Sequence, residues 1–111
     1  MESEQNQRRS ERFDVKTVVK VSFLREGRQS TILGEGCNFS KGGMCLFLTL
    51  ALPPGTPVLL DFLLPYTSTP MIVRGVVRNE RGVNYGVEFV ALTPYQQEVL
   101  ERNCKVFDLL S

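Results

Sequence analysis

The sequence predicts an all-β fold, a six-stranded antiparallel β-barrel capped by one C-terminal α-helix. Two patterns lead to this prediction. Six short segments alternate apolar with polar residues and are joined mostly by short turns, which is typical of an antiparallel sheet that closes on itself. Near the end of the chain the apolar spacing changes from two residues to three and four, as on one face of a helix. The chain has 111 residues, a length that fits a single domain.

The N-terminal segment is distinct from the predicted barrel. Residues 1–12 contain no apolar residue after Met1, so we expect a flexible arm there and place the barrel with its helix in residues 13–111. The first strand begins at this boundary, because apolar side chains recur there at odd positions. These side chains are Phe13, Val15, Val19, Val21 and Phe23.

Five further strands follow, separated by turn-forming residues. Strands are predicted at 29–39, 44–50, 58–64, 69–79 and 85–92, with turns at 25–28 and 80–84 and a loop at 38–43. Gly34 and Gly36 lie inside the second strand, where glycine indicates a bulge, a tight bend or a close backbone approach. "LPPGTP" at 52–57 must interrupt the sheet, because proline cannot donate a ladder hydrogen bond.

The C-terminal helix is predicted over residues 94–109. Thr93 can cap it, Pro94 suits the first helical position, and Gln96 completes a T-x-x-Q capping box. Its apolar residues then form one stripe, consisting of Val99, Leu100, Cys104, Phe107 and Leu110. This stripe needs a surface to cover, and the open end or the side of the barrel would serve.

Composition limits the functions open to the chain. Thirteen Lys and Arg against twelve Asp and Glu leave a net charge of +1, so any anion recognition must be local. The chain has no histidine, which removes Ser-His-Asp and Cys-His catalysis and histidine-ligated metal sites. Asp61 and Glu88 are expected to point outward from alternating strands, and nothing pairs them as acid and base. We therefore expect neither enzyme activity nor a cofactor or metal site.

The cysteines and the N-terminus indicate where the protein resides. Cys37, Cys45 and Cys104 form no CxxC pair, which favours a reduced, intracellular protein with small buried thiols. No run of 18 apolar residues exists, and "MESEQNQRRSE" lacks the apolar core of a signal peptide. We expect a cytoplasmic protein that does not insert into membranes.

Three arginines stand close together in "QRRSERF", residues 7–13. Arg8, Arg9 and Arg12 each offer a planar fork of donors that can grip a phosphate and stack on an aromatic base. On a flexible arm they could clasp a small dianion that carries aromatic rings. The alternative is a solvated tail that only improves solubility.

A second candidate element is the loop "NFSKGG", residues 38–43. The amide of Asn38 offers both donor and acceptor, which suits a purine edge, and Ser40 can donate to a phosphate or bond within its own turn. Gly42 and Gly43 permit a close backbone approach. The alternative is an ordinary β-turn, in which these residue types are simply turn formers.

Together, R-x-x-x-R at 8–12 and N-x-S-x-x-G at 38–43, two strands later, resemble the PilZ domain family, which binds the bacterial second messenger cyclic di-GMP. The "YGVEF" strand and the final helix are similar to the family's split-barrel fold with its helical lid. The resemblance extends from residue 8 to about residue 110, nearly the whole chain.

The resemblance implies roles for individual arginines. Arg8 and Arg12 match the two motif arginines, which in the family contact phosphate and guanine, and Arg9 fits a frequent doubled arginine. Arg78 follows the "MIVRGVV" segment, where some members place a side chain that stacks on a base.

It also implies roles in the loop. Asn38 takes the position of an Asp or Asn, Ser40 that of the serine and Gly43 that of the closing glycine, with Gly42 beside it. Asn in place of Asp keeps the acceptor but loses the charge, which slightly weakens pairing with the N–H edge of guanine.

The implied function is non-enzymatic binding of cyclic di-GMP, with ordering of the arm signalling to a downstream protein effector in motility or biofilm regulation. The receptor could be a monomer or a homodimer. One alternative is a protein-interaction adaptor with the same barrel and a vestigial ligand site. Another is a small barrel for single-stranded nucleic acid, which needs a basic groove with exposed aromatic residues. The balanced charge and the aromatic residues that alternate into the core predict no nucleic-acid partner.

Overall fold

A computed structural model describes residues 17–64 and 70–110, without the side chains of residues 38, 39 and 104–110. The predicted arm at 1–12 and the proposed strand start at Phe13 therefore lie outside the described residues. Six strands and one helix are present in this part of the chain. They are β1 (Thr17–Arg25), β2 (Arg28–Ser40), β3 (Gly43–Phe47), β4 (Pro57–Leu63), β5 (Pro70–Arg81), β6 (Asn84–Val90) and the C-terminal helix (Pro94–Leu110).

The six strands form a closed barrel in the order β1-β2-β3-β6-β5-β4. Every pairing is antiparallel, and β4 returns to β1 through the register Val19↔Phe62 and Val21↔Leu60. The predicted fold class, an antiparallel six-stranded barrel with one C-terminal helix, is confirmed.

The core consists of the inward side of each strand. Alternate side chains point into the barrel because successive residues of a strand face opposite sides of the sheet. In β1 these are Val19, Val21 and Phe23, and in β6 they are Tyr85, Val87 and Phe89. Met44, Leu46, Leu60, Phe62, Val73 and Val77 complete the middle of the cluster. The period of two in the sequence therefore identified the buried faces correctly.

The glycines of β2 mark a close approach between strands. A Cβ atom at Gly34 would lie 2.4 Å from Leu48 Cδ2, and one at Gly36 would lie 3.0 Å from Val19 Cγ2. The irregularity in the β2–β3 register is elsewhere, between Cys37 and Ser40. Of the options that the sequence left open, close packing thus explains both glycines, and the bulge occurs after them.

Two predicted connections are shorter than expected. The loop assigned to 38–43 is wrong, because β2 continues through Ser40 and the turn is only Lys41–Gly42. The turn assigned to 80–84 likewise contracts to Gly82–Val83, where Gly82 has a φ of 66°. Strand pairing through the bulge and up to each turn satisfies backbone groups that a longer loop would leave to solvent.

The segment between β3 and β4 is fastened to the barrel by one buried tyrosine. Tyr85 is 2% exposed, and its hydroxyl accepts a hydrogen bond from Leu52 N at 3.3 Å and donates to Leu50 O at 3.1 Å. Glu80 Oε2 lies 3.2 Å from the same hydroxyl. The predicted interruption at 52–57 is confirmed for residues 52–56, whereas Pro57 already belongs to β4.

The C-terminal helix begins with the predicted capping box. Gln96 N donates to Thr93 Oγ1 at 3.1 Å, and Thr93 N donates to Gln96 Oε1 at 3.0 Å. Gln96 Nε2 also donates to Ile72 O at 2.6 Å, which ties the first turn to β5. Leu100 is fully buried in the core cluster and Val99 packs against it. Within the described ranges, no helix is both long and apolar enough to cross a membrane.

Candidate ligand-binding site

The β2–β3 turn and the β5–β6 hairpin border one open cleft on the outside of the barrel. Its volume is about 920 Å³, at the upper end of the range typical of small-molecule pockets. The cleft is lined by Cys37, Ser40, Gly42, Gly43, Met44, Cys45, Arg78, Asn79, Glu80, Arg81, Asn84, Tyr85, Gly86, Val87 and Glu88.

On this outer face one glycine, Gly86, stands where a side chain would otherwise project into the cleft. Cys37, Cys45, Gly86 and Asn79 are successive register partners across β2, β3, β6 and β5. A Cβ atom at Gly86 would lie 2.6 Å from Asn79 Oδ1, so the Asn79 amide packs directly against the glycine backbone. The row therefore lacks a side chain at Gly86, between the β2–β3 turn and the β5–β6 hairpin that border the cleft.

Ser40 shapes the turn that borders one side of the cleft. Gly42 N donates to Ser40 Oγ at 3.3 Å, and Ser40 Oγ in turn lies 3.3 Å from Gly43 O, to which it donates. These bonds hold the β2–β3 turn closed. The hydroxyl thus has the turn-forming role that was the alternative interpretation of this loop, and it lines the cleft as well.

The two glycines of the turn differ in their surroundings. A Cβ atom at Gly43 would lie 2.3 Å from Val87 O, in the backbone of the neighbouring strand. A Cβ atom at Gly42 would meet nothing within 4 Å. Gly43 is therefore required by the packing of β3 on β6, whereas Gly42 leaves open space beside the cleft.

The charges along the described lining are balanced. Arg78 Nε donates to Glu88 Oε1 at 2.6 Å, with each side chain slightly more than half exposed. Arg81 and Glu80 are also exposed and line the same cleft. Two cations beside two anions give little net attraction for an anion. Tight binding of a dianion here needs further positive charge from elsewhere in the chain.

The structure brings four of the eight candidate site residues together, namely Ser40, Gly42, Gly43 and Arg78. Arg78 lies inside β5, as the predicted strand at 69–79 implied, and within the register shift between Val77 and Asn79. The backbone of Asn38 belongs to β2, and its side chain is among those that the structure does not describe. Arg8, Arg9 and Arg12 lie outside the described residues.

Several lining residues were not predicted as site residues. Asn79, Arg81 and Asn84 flank the β5–β6 turn, and Glu88 holds Arg78. The turn predicted at 80–84 was the one sequence feature that could have pointed to these residues. That this turn lies beside the β2–β3 turn is known only from the pairing of β3 with β6. The cysteines are also corrected, because Cys37 and Cys45 are half-buried at the cleft and do not belong to the core.

The chemistry of the cleft is that of a binding site built from amide, hydroxyl and guanidinium groups. In the described part of the chain, no cluster of three or more His, Cys, Asp or Glu side chains could hold a metal ion. The amide and hydroxyl groups offer hydrogen-bond donors and acceptors for the edge of a heteroaromatic ring. The guanidinium groups of Arg78 and Arg81 offer paired donors for a phosphate.

Comparisons with known proteins agree with this architecture. The family model for the PilZ domain matches residues 6–105. The crystal structure of the PilZ domain of CeSA from a cellulose-synthesizing bacterium is 19% identical, with 90% of this chain and 98% of that chain covered and a TM-score of 0.66. The Bacillus subtilis inhibitor of motility, MotI/DgrA, is 21% identical with a TM-score of 0.71. That match covers 91% of this chain and 51% of MotI/DgrA, so the chain spans about half its length. No protein of curated function matched the sequence.

Proposed function

Because this chain belongs to the PilZ domain family, we propose that it is a non-enzymatic receptor that binds cyclic di-GMP in the cleft between the β2–β3 turn and the β5–β6 hairpin. One observation carries the proposal. Ser40, Gly42, Gly43 and Arg78, which are separated in sequence, meet in a single cleft of about 920 Å³. Family membership supplies the ligand class, and the cleft supplies a place of suitable size and polarity.

The phosphates of the ligand need more positive charge than the described lining provides. Arg78 and Arg81 are offset by Glu80 and Glu88. In the proposed complex Arg8, Arg9 and Arg12 supply this charge, because guanidinium forks bind phosphate in a bidentate manner and stack on guanine. Because the arginines of the N-terminal segment add their charge at the cleft, a chain of net charge +1 can hold a dianion.

The β2–β3 turn then recognises the rest of the ligand. Asn38 pairs with a guanine edge through its amide, and Ser40 donates to a phosphate oxygen by exchanging one of its turn hydrogen bonds. Gly42 leaves room for the ligand to approach the backbone closely. Gly43 contributes by letting β3 pack on β6, which holds the turn in position.

Arg78 has a second role in the proposed complex. Its ion pair with Glu88 is exposed, and such pairs contribute only about 0–1 kcal/mol. A ligand phosphate or guanine can therefore take Arg78 from Glu88 at small cost. Arg78 would then stack on a base from the β5 side of the cleft.

Binding also supplies the signal in this proposal. Residues 1–12 close over the ligand, and the ordered segment presents a new surface to a downstream protein effector. Amide hydrogen exchange tests this step. Exchange in residues 1–12 should be fast without cyclic di-GMP and slow with it, and equal protection in both states would contradict the signalling step.

Calorimetry with cyclic di-GMP tests the proposed receptor function. The wild-type protein should bind with micromolar or tighter affinity, and the Arg8→Ala/Arg12→Ala double variant should lose the binding heat. The Arg25→Ala/Arg28→Ala double variant is the matched control, since it removes two exposed arginines at the β1–β2 turn, outside the cleft. No heat and no thermal shift for the wild type, or equal loss in both double variants, would overturn the proposal. The same titration gives the stoichiometry, which separates one ligand from a stacked pair.

A second candidate function is a protein-interaction adaptor that does not depend on cyclic di-GMP. The outer face away from the cleft favours it, because Val18, Leu24, Leu33 and Ile72 are each more than half exposed there. A partner that recognises apolar side chains could use these exposed groups. The two functions differ in one measurement: partner binding by the adaptor is unchanged when cyclic di-GMP is added.

A further inference from the structure

Two of the three cysteines lie opposite each other at the cleft. Cys37 in β2 and Cys45 in β3 are register partners in an antiparallel pair. Side chains of directly opposed residues point to the same face of a sheet, and here that face is the outer one, since Met44 and Leu46 point into the core. Both cysteines are half-buried thiols that line the cleft.

The strand geometry allows these two sulfur atoms to meet. Opposed residues of an antiparallel pair have Cα atoms about 4.5 or 5.5 Å apart, depending on their hydrogen bonding. Disulfides span Cα distances of roughly 4.4–6.8 Å, so both kinds of pair fall within the range. Their Cβ atoms are about 4.5–5.5 Å apart, whereas a disulfide needs about 3.5–4.5 Å. Bond formation thus requires the two Cβ atoms to approach each other by about 1 Å, and by about 2 Å at most.

We propose that Cys37 and Cys45 are a thiol–disulfide site, which a low-molecular-weight disulfide such as oxidised glutathione converts to an intramolecular disulfide. The thiolate of one cysteine attacks a glutathione sulfur, and the glutathione disulfide breaks to release one reduced glutathione. The second cysteine then attacks the mixed disulfide and displaces the other glutathione. The two protein thiols lose their protons and two electrons, and one oxidised glutathione becomes two reduced molecules. In a reducing compartment such a bond is transient, as in redox-sensing pairs.

The bond would act on the turn that lines the cleft. It closes the chain covalently around residues 38–44, which include Ser40, Gly42 and Gly43. It also draws β2 towards β3 beside the register shift between Cys37 and Ser40. A site displaced by even about 1 Å loses much of its complementarity. We therefore expect the disulfide to weaken ligand binding, and this part of the inference rests on the proposed function.

Peptide mapping of the wild-type chain tests the bond itself, independently of any ligand. After treatment with oxidised glutathione, alkylation and trypsin digestion, Cys37 lies in peptide 29–41, Cys45 in 42–74 and Cys104 in 103–105. We expect peptide 29–41 joined to peptide 42–74, and we expect dithiothreitol to separate them. In the Cys45→Ser variant, Cys37 should retain a glutathione adduct. Two alkylated thiols, stable glutathione adducts on both, or a link from either cysteine to Cys104 would overturn the assignment.

Calorimetry of the oxidised and reduced proteins tests the coupling to the cleft. Affinity for cyclic di-GMP should fall about tenfold on oxidation and recover after reduction. Equal affinities of the oxidised and reduced proteins would refute the coupling. Absence of binding by the reduced wild type would instead refute the receptor function, while the peptide link would remain a separate result.

Discussion

Substitution of Gly43 by alanine should destabilise the barrel. The added Cβ atom would lie 2.3 Å from Val87 O and 3.3 Å from Glu88 Cα, both in the backbone of β6. Carbon atoms in ordinary contact are about 3.5–4.0 Å from their neighbours. Either β3 or β6 must therefore move by about 1 Å, since no flexible side chain can yield in place of Val87 O.

The expected change in the free energy of unfolding follows from two opposing effects of Gly43→Ala. Overpacking of this kind costs about 1–3 kcal/mol or more, while replacing glycine by alanine restricts the unfolded chain and returns about 0.4–1 kcal/mol. We expect a net loss of about 2 kcal/mol. With a urea dependence of about 1–3 kcal/mol/M, the denaturation midpoint should fall by about 1 M.

Urea denaturation followed by far-UV circular dichroism measures this effect, and Gly42→Ala is its matched control. At Gly42 the new methyl group meets no atom within 4 Å, so the midpoint should stay the same or rise slightly. A Gly43→Ala midpoint equal to that of the Gly42→Ala variant would refute the steric argument. The same two variants also distinguish an effect on stability from an effect on binding. If Gly42→Ala loses ligand affinity while its stability is unchanged, the ligand contacts the turn.

Two further predictions concern β6. Tyr85→Phe should lower the free energy of unfolding by about 1–2 kcal/mol, because Leu52 N loses its buried acceptor; an unchanged thermal midpoint would contradict this. Glu88→Gln should lower stability by less than about 1 kcal/mol and strengthen cyclic di-GMP binding about threefold, since it releases Arg78 and removes a negative charge from the cleft. Its control is Glu98→Gln, which breaks another exposed ion pair, on the helix and outside the cleft. Weaker binding in Glu88→Gln than in Glu98→Gln would refute the release of Arg78.

The strands were predictable because one physical pattern, burial of alternate side chains, dominates their sequence. Val19, Val21 and Phe23 lie inside for the reason that their spacing suggested. The capping box at Thr93 and Gln96 was equally local, and both of its hydrogen bonds are present. Connections were harder to predict, because Asn, Ser and Gly are turn formers whether the strand ends before them or continues through a bulge.

The site was only partly predictable from the sequence. The residues of the β2–β3 turn carried recognisable side-chain chemistry, but the opposite side of the cleft depends on register. Asn79 packs against Gly86 only because β5 pairs with β6 through a shift beside Arg78. The pairing of Cys37 with Cys45 also depends on register. The two cysteines are eight positions apart in the sequence, and a one-residue shift in the pairing of β2 with β3 would place them on opposite faces of the sheet.

Closure of the barrel determines how another protein can dock on it. Each of the six described strands is hydrogen-bonded on both sides, with β4 paired to β1. Unpaired N–H and C=O groups are therefore confined to parts of strands, such as residues 28–34 of β2, which pair with β1 but not with β3. A partner can add its own strand only at such short stretches, and elsewhere it must recognise side chains, such as the exposed Leu33 and Ile72, or the turns around the cleft. Closure of the barrel thereby limits edge-to-edge association between copies.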